Sequence, residues 1–220
     1  MNTGITFILD DGTKYHTYTN LNLRMLAEVI KSPAVPKRHL ITDVLGIDGY
    51  LEIQNGPTRF ENRNIIARFE GQDQNFDEWC EACSNVENAL HGRHVQAVFD
   101  IDPSYCWEGF VTVTPTKEAI AYSEMEICID AFPYKISVQE YTKSVTATTS
   151  GATTTIEGSR MPYAPVINAS GSNITITYDG VAYKLVSGDN QMEFELTEGN
   201  NSIKVSGSGT AKIKWRKGSL

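Results

Sequence analysis

The chain has 220 residues, 40 % of them apolar and 21 % charged, and carries a formal charge of −8. These proportions suit folded domains and exclude wholesale disorder. The negative charge excludes a general binder of nucleic acid or anionic membrane, whose affinity needs clustered Lys and Arg. No apolar run approaches the ~20 residues of a spanning helix.

The opening MNTGITFILDDG has no basic n-region, and its apolar stretch stops at Asp10-Asp11. It reads as folded chain, not as a secretion signal. Ile5, Phe7 and Leu9 alternate as in a half-buried strand and lead into an Asp11-Gly12 turn. Residues 21–31 fit helix and strand equally. Ile65, Ala67 and Phe69 alternate again. A helix is expected over 76–91, where Phe76, Trp79, Cys80, Cys83, Val86 and Leu90 recur at spacings of three and four. Asn75 with Glu78 makes a capping-box-like start, Asp77 suits the positive helix end, and Gly92 is a natural stop.

Charge then changes along the chain. Residues 1–143 hold 21 acidic and 12 basic residues, whereas 144–220 hold 6 and 7. Between them runs SVTATTSGATTT, which has little to bury and places a domain boundary near 142–150. Two domains are expected, 1–141 and 142–220. In the second, Ile174, Ile176 and Tyr178 alternate up to Asp179-Gly180, and Val181, Tyr183 and Leu185 alternate after it, a hairpin signal. Further strands are expected at Met192, Phe194 and Leu196, at Ile203 and Val205, and at Ala211, Ile213 and Trp215. The fold class is mostly β with one helix, its second domain a small β-sandwich or jelly roll.

The four cysteines, 80, 83, 106 and 128, are expected to be reduced in a cytosolic setting. There the glycosylation-like triplets at Asn168, Asn173 and Asn200 carry no role. Cys80-x-x-Cys83 followed by His91-x-x-His94 resembles a zinc site on paper. On a continuous helix, however, Cys80 and His91 are about 16 Å apart, too far for ligands to share one metal. Asp100, Asp102 and Ser104 imitate an EF-hand start, but the Gly and Glu that the loop requires are replaced by Tyr105 and Val111. No nucleophile elbow, P-loop, dinucleotide fingerprint or zincin motif occurs. The expectation is therefore no enzyme, no catalytic, metal or cofactor-binding residue, and no cofactor. Tyr163, Tyr178, Tyr183 and Trp215 raise a carbohydrate-binding alternative, in which the C-terminal sandwich is an adhesion module. The last three share the alternation of buried neighbours, which favours a core role.

Several segments, in order, resemble the distal tail protein (Dit) family of phages with long, non-contractile tails. VLGIDGYLEIQNGPTRFENRNIIARFEG is similar to its N-terminal pattern of a Gly-x-x-Gly turn, two strands and an Asn-Arg pair, here Asn62-Arg63. FDIDPSYCWEGFVTVT with EICIDAFPYKIS is similar to its Asp-x-Pro-x-Tyr, aromatic-x-Gly and Pro-Tyr-Lys (133–135) signature. The segment from PYAPVINASG to the end is similar to its C-terminal sandwich. The turn Leu45-Gly46-Ile47-Asp48-Gly49 departs from relatives that carry Pro and Arg beside the glycine. The resemblance implies an N-terminal split-β-barrel domain that forms a homohexameric ring and a C-terminal galectin-like sandwich. It also implies tail tube protein and tail-tip hub as partners, with a receptor-binding protein as a further one. The implied location is the virion tail tip or baseplate of a free phage or prophage, assembled in the bacterial host cytoplasm.

Overall fold

Residues 3–41, 46, 48, 51–53, 58–71, 75–116 and 123–220 are described by the computed structural model. The chain divides into two compact units, Met1–Pro133 and Tyr134–Leu220. This division lies ahead of the composition shift.

In the first unit the strands are β1 (Ile5–Leu9), β2 (Lys14–His16), β3 (Leu23–Lys31), β4 (His39–Ile41), β5 (Leu51–Ile53) and β6 (Arg63–Gly71), followed after helix α1 (Phe76–Leu90) by β7 (His94–Phe99), β8 (Tyr105–Pro115) and β9 (Glu124–Ala131). Seven of them form an antiparallel sheet in the order β2-β1-β7-β8-β9-β6-β3, while β4 and β5 pair separately. The alternation read in the sequence is the alternation of burial. Ile5, Phe7 and Leu9, and Ile65, Ala67 and Phe69, face one core with Val95, Ala97, Val111, Val113, Ile127 and Ile129. The ambiguous stretch 21–31 is strand. Its period fails because the β3–β6 register shifts between Met25 and Val29, and such a bulge changes which residues face inward. The Leu45–Gly49 turn lies largely outside the described residues.

Helix α1 covers the core with Trp79, Cys83, Val86 and Leu90, while Phe76 and Cys80 are half-buried. Asn75 caps it as expected, its Oδ1 accepting from the Glu78 N–H at 2.9 Å. At the other end the Gly92 N–H donates to the Val111 carbonyl at 2.8 Å, so the helix stop is tied to the sheet. Trp79 Nε1 donates to Thr116 O at 3.0 Å, which satisfies the polar end of a buried ring.

The second unit contains β10 (Lys135–Ser137), β11 (Tyr141–Ala147), β12 (Ala152–Gly158), β13 (Val166–Tyr178), β14 (Val181–Lys184), β15 (Gly188–Gln191), β16 (Gly199–Trp215) and β17 (Gly218–Ser219). SVTATTSGATTT runs from the middle of β11 through the connection into β12, and both strands pair with β16 and not with each other. Two long strands do the work of four. The first half of β13 pairs with β15 and with the second half of β16, which also pairs with β11. The second half of β13 pairs with β14 and with the first half of β16, which also pairs with β12. Two four-stranded leaves result, and their buried side chains form a single core, from Ile156 and Ile167 to Phe194, Ile213 and Trp215. This is a β-sandwich.

Both long strands cross between leaves at one corner. Gly171, Gly207 and Gly209 have φ of 134°, 122° and 138°. A Cβ on Gly171 would stand 2.2 Å from Ser208 O, and one on Gly209 would stand 2.1 Å from Ser170 O. The bend therefore demands glycine on conformation and on space.

The structure joins the strands expected at 203–205 and 211–215 into one, β16. It also removes the strand expected at 192–196. Met192, Phe194 and Leu196 are buried as the alternation implied, but only the Tyr163–Leu196 bridge forms there. The facing segment is Pro162-Tyr-Ala-Pro165, and prolines have no N–H for a ladder.

Two asparagines hold equivalent loops. Asn201 Nδ2 donates to Thr197 O (2.8 Å), Gly199 O (3.1 Å) and Ile156 O (3.3 Å), and its Oδ1 accepts from the Thr197 N–H (3.0 Å). Asn190 Nδ2 donates to Val186 O (2.8 Å), Gly188 O (2.9 Å) and Ile167 O (3.2 Å), and its Oδ1 accepts from the Val186 N–H (2.9 Å). Each asparagine lies opposite its isoleucine in the strand register. Val186-Ser-Gly-Asp-Asn190 and Thr197-Glu-Gly-Asn-Asn201 are thus one five-residue clasp used twice.

Candidate functional site

The cysteine and histidine candidates go to separate places. Cys83 is in the core and Cys80 half-buried on the same helix. His91 Nδ1 accepts from the Val113 N–H at 3.2 Å, whereas His94 Nδ1 meets Asp10 Oδ1 at 3.0 Å and its Nε2 lies 3.6 Å from Glu108. Among the described residues, no group of three or more His, Cys, Asp or Glu is arranged to hold a metal. Asp100 is spent on the fold, its Oδ2 accepting from the Gly4 N–H at 2.8 Å and pairing with His16 Nε2 at 3.2 Å. Asp102 takes part in the β7–β8 turn, accepting from the Tyr105 N–H through its carbonyl. The Cys128 thiol is pushed up by burial and by the nearby Glu126 and Asp130 charges, the reverse of an activated nucleophile.

The aromatic residues of the second unit are packed. Tyr178 stacks on Phe194 at 4.4 Å, and its hydroxyl donates to Asn201 Oδ1 at 2.8 Å. Tyr183 tilts against the same ring, and Trp215 stacks with Tyr141 at 5.9 Å. Every aromatic side chain from 134 to 220 is buried or half-buried. None forms the exposed platform on which a sugar would stack.

Among the side chains that the first unit exposes are large apolar ones. Phe110 on β8 and Phe132 just past β9 are 58 % and 54 % exposed, and Ile101 is 64 % exposed. Phe110 points outward because Val111 and Val113 point in. His94 meets its ring edge-on at 5.2 Å. Gly109 beside it lets β9 approach, since a Cβ there would lie 2.1 Å from Asp130 O. The sequence reading missed this surface, although the phase of Val111 and Val113 implied that Phe110 faces away from the core. Exposed aromatics of this kind mark places where other protein surfaces pack. Beside Phe110, His94 lies between the Asp10 and Glu108 carboxylates.

No protein-family model matches the sequence, nor does any curated protein. Solved structures do match. The crystal structure of the SPP1 Dit (gp 19.1) protein, described as a paradigm of hub adsorption apparatus in Gram-positive infecting phages, aligns with a TM-score of 0.68 and 16 % identity. That alignment covers 99 % of both chains. The phage P2 baseplate in its activated conformation with Ca aligns at 0.53 and 8 % identity, over 99 % of this chain and 98 % of that one. The same baseplate with Sr aligns at 0.52 and 8 %, over 98 % of each. Over 99 % of its length, then, this chain has a β-rich fold like that of the SPP1 Dit protein.

Proposed function

We propose that the chain is a structural component of a siphophage tail tip or baseplate. In this reading it forms a hexameric ring that joins the tail tube to the tail-tip hub and the host-adhesion apparatus. The observation that carries the proposal is the full-length match, in which both units align along 99 % of each chain with a phage hub protein. The exposed Phe110 and Phe132 support a protein that packs against others. The ring role belongs to the expected first domain, 1–141, and the second domain, 142–220, projects from it. The location that follows is the virion tail, after assembly in the host cytoplasm.

Charge sets a condition on such a ring. Residues 1–143 carry nine more acidic than basic groups, and six copies multiply that excess sixfold. Repulsion on this scale weakens at short Debye length, so ring closure is expected to strengthen with salt. The test is light scattering and electron microscopy of the full chain across salt and concentration, alone and with the tail tube protein. Six-membered rings are expected. A chain that stays monomeric under all these conditions would sink the proposal.

A further inference from the structure

Two cations stand opposite core residues at the margin of the first unit's sheet, Lys31 exposed and Arg63 half-buried. Lys31 ends β3 opposite Ile65, and Arg63 begins β6 opposite Ala131. Both of those partners are fully buried. The alternation that puts Ile65, Ala67 and Phe69 inward puts Arg63 inward too. At this end of the sheet the cations meet aromatic rings. Lys31 Nζ lies 5.3 Å from the Phe99 centroid and 5.9 Å from that of Trp107, and Arg63 Cζ lies 5.0 Å from the same Trp107 centroid. Both rings are buried.

Neither cation pairs with a carboxylate among the described residues. Arg68, by contrast, reaches Glu124 and Glu126, Lys214 reaches Asp189, and Lys217 reaches Glu157. Arg63 Nε is buried without a hydrogen-bond partner, and burial draws the guanidinium pKa down. A lysine on an edge strand is a known guard against strand addition, and that accounts for Lys31. It does not account for Arg63, because β6 is an interior strand between β9 and β3. Two like charges on one ring, in a chain with 27 acidic residues and 19 Lys and Arg, leave a position for a negative charge. Ring faces attract cations and do not neutralise them.

We propose that Lys31 and Arg63, held on Trp107, form a carboxylate-binding site. The guanidinium offers a planar fork of N–H donors and the ammonium a point charge, the combination that holds a carboxylate. The carboxylate comes either from an acidic side chain of a second copy or from a small free acid. The site rests on the first unit's geometry. Only the assembly arm of its test rests on the tail-tip reading.

The test uses the full chain and glutarate, a mimic of an acidic side chain, titrated against chloride at matched ionic strength. Calorimetry and thermal melting are expected to show binding near the millimolar range, weakened about tenfold or more in Lys31→Gln. Lys31→Glu, which supplies the carboxylate beside Arg63 from within the chain, is expected to abolish the response and still fold, because Lys31 is exposed. If glutarate and Lys31→Gln also lower the assembled mass in light scattering, a neighbouring copy supplies the carboxylate. If the mass is unchanged while glutarate still binds, the ligand is a free acid. Equal glutarate responses in all three proteins, or binding of inorganic phosphate with none of glutarate, would overturn the proposal.

Discussion

Asn201→Asp changes one atom of a buried clasp and gives a sharp test of how the second unit is held. Asn201 is 4 % exposed, and its Nδ2 donates to the carbonyls of Thr197, Gly199 and Ile156. Aspartate replaces that donor with an oxygen facing three oxygens. The side that accepts from Tyr178 Oη and the Thr197 N–H is retained. One stranded set of acceptors costs about 1–3 kcal/mol, and burying an uncompensated charge raises the total to about 3–5 kcal/mol at neutral pH. The carboxyl can recover part of this by keeping its proton. Its folded pKa then lies above the unfolded value of about 3.9, so the folded state binds more protons, and the variant loses stability as pH rises through and above about 4. Asn190→Asp is the internal control, since it breaks the same clasp at a half-buried position and is expected to cost about 1–2 kcal/mol. The assay is urea unfolding of the full chain from pH 4 to 8, with the second unit's transition identified as the one whose fluorescence change disappears in Trp215→Phe. Equal losses at both asparagines, or a loss independent of pH, would refute the reasoning.

Trp79→Ala removes a ring that is 2 % exposed together with its bond to Thr116 O. It is expected to cost about 3–5 kcal/mol in the first unit's denaturation, and an unchanged midpoint would mean that α1 does not cover the core. Gly109→Ala puts a methyl 2.1 Å from Asp130 O and forces β8 and β9 apart. A loss of about 1–3 kcal/mol is expected, with faster amide exchange at the β8–β9 pairs. Lys217 Nζ bonds Glu157 Oε2 at 2.6 Å and lowers that carboxyl's pKa from 4.5 through the hydrogen bond and its charge. A lowered carboxyl pKa gives stability above the unfolded value that is lost as pH falls through the folded one. Below about pH 4.5 the wild type should therefore lose stability more steeply than Lys217→Met. Parallel acid limbs would count against this pair.

Much of this was legible from local chemistry. The α1 face and its Asn75 cap follow from spacing alone, as does the Asp179-Gly180 turn, which closes β13 onto β14 with φ of 47° and 77°. What stayed hidden depends on partners distant in sequence. The strand at 23–31 was masked by a bulge that has meaning only against β6. The segment at 192–196 kept strand alternation because its side chains enter the core, yet it lacks a ladder because prolines face it. The union of two predicted strands into β16 needed the glycine corner, which in sequence looks like a loop. Lys31 and Arg63 each look like ordinary surface charges until the structure brings both to the Trp107 ring.

The shared strand β16 also bears on the order of events during synthesis. It is the neighbour of β11, β12 and β13 alike, so neither leaf can close until residues 199–215 leave the ribosome. At ~5–20 residues per second, β11 and β12 wait several seconds without a partner, while β13 has only the short β14 and β15, too little for independent stability. Exposed strands in waiting invite association with other nascent chains. Here the waiting strands are the threonine- and serine-rich ones, Tyr141–Ala147 and Ala152–Gly158. Their poverty in large apolar side chains, which in the finished sandwich leaves little to bury, is expected to limit such association during the wait.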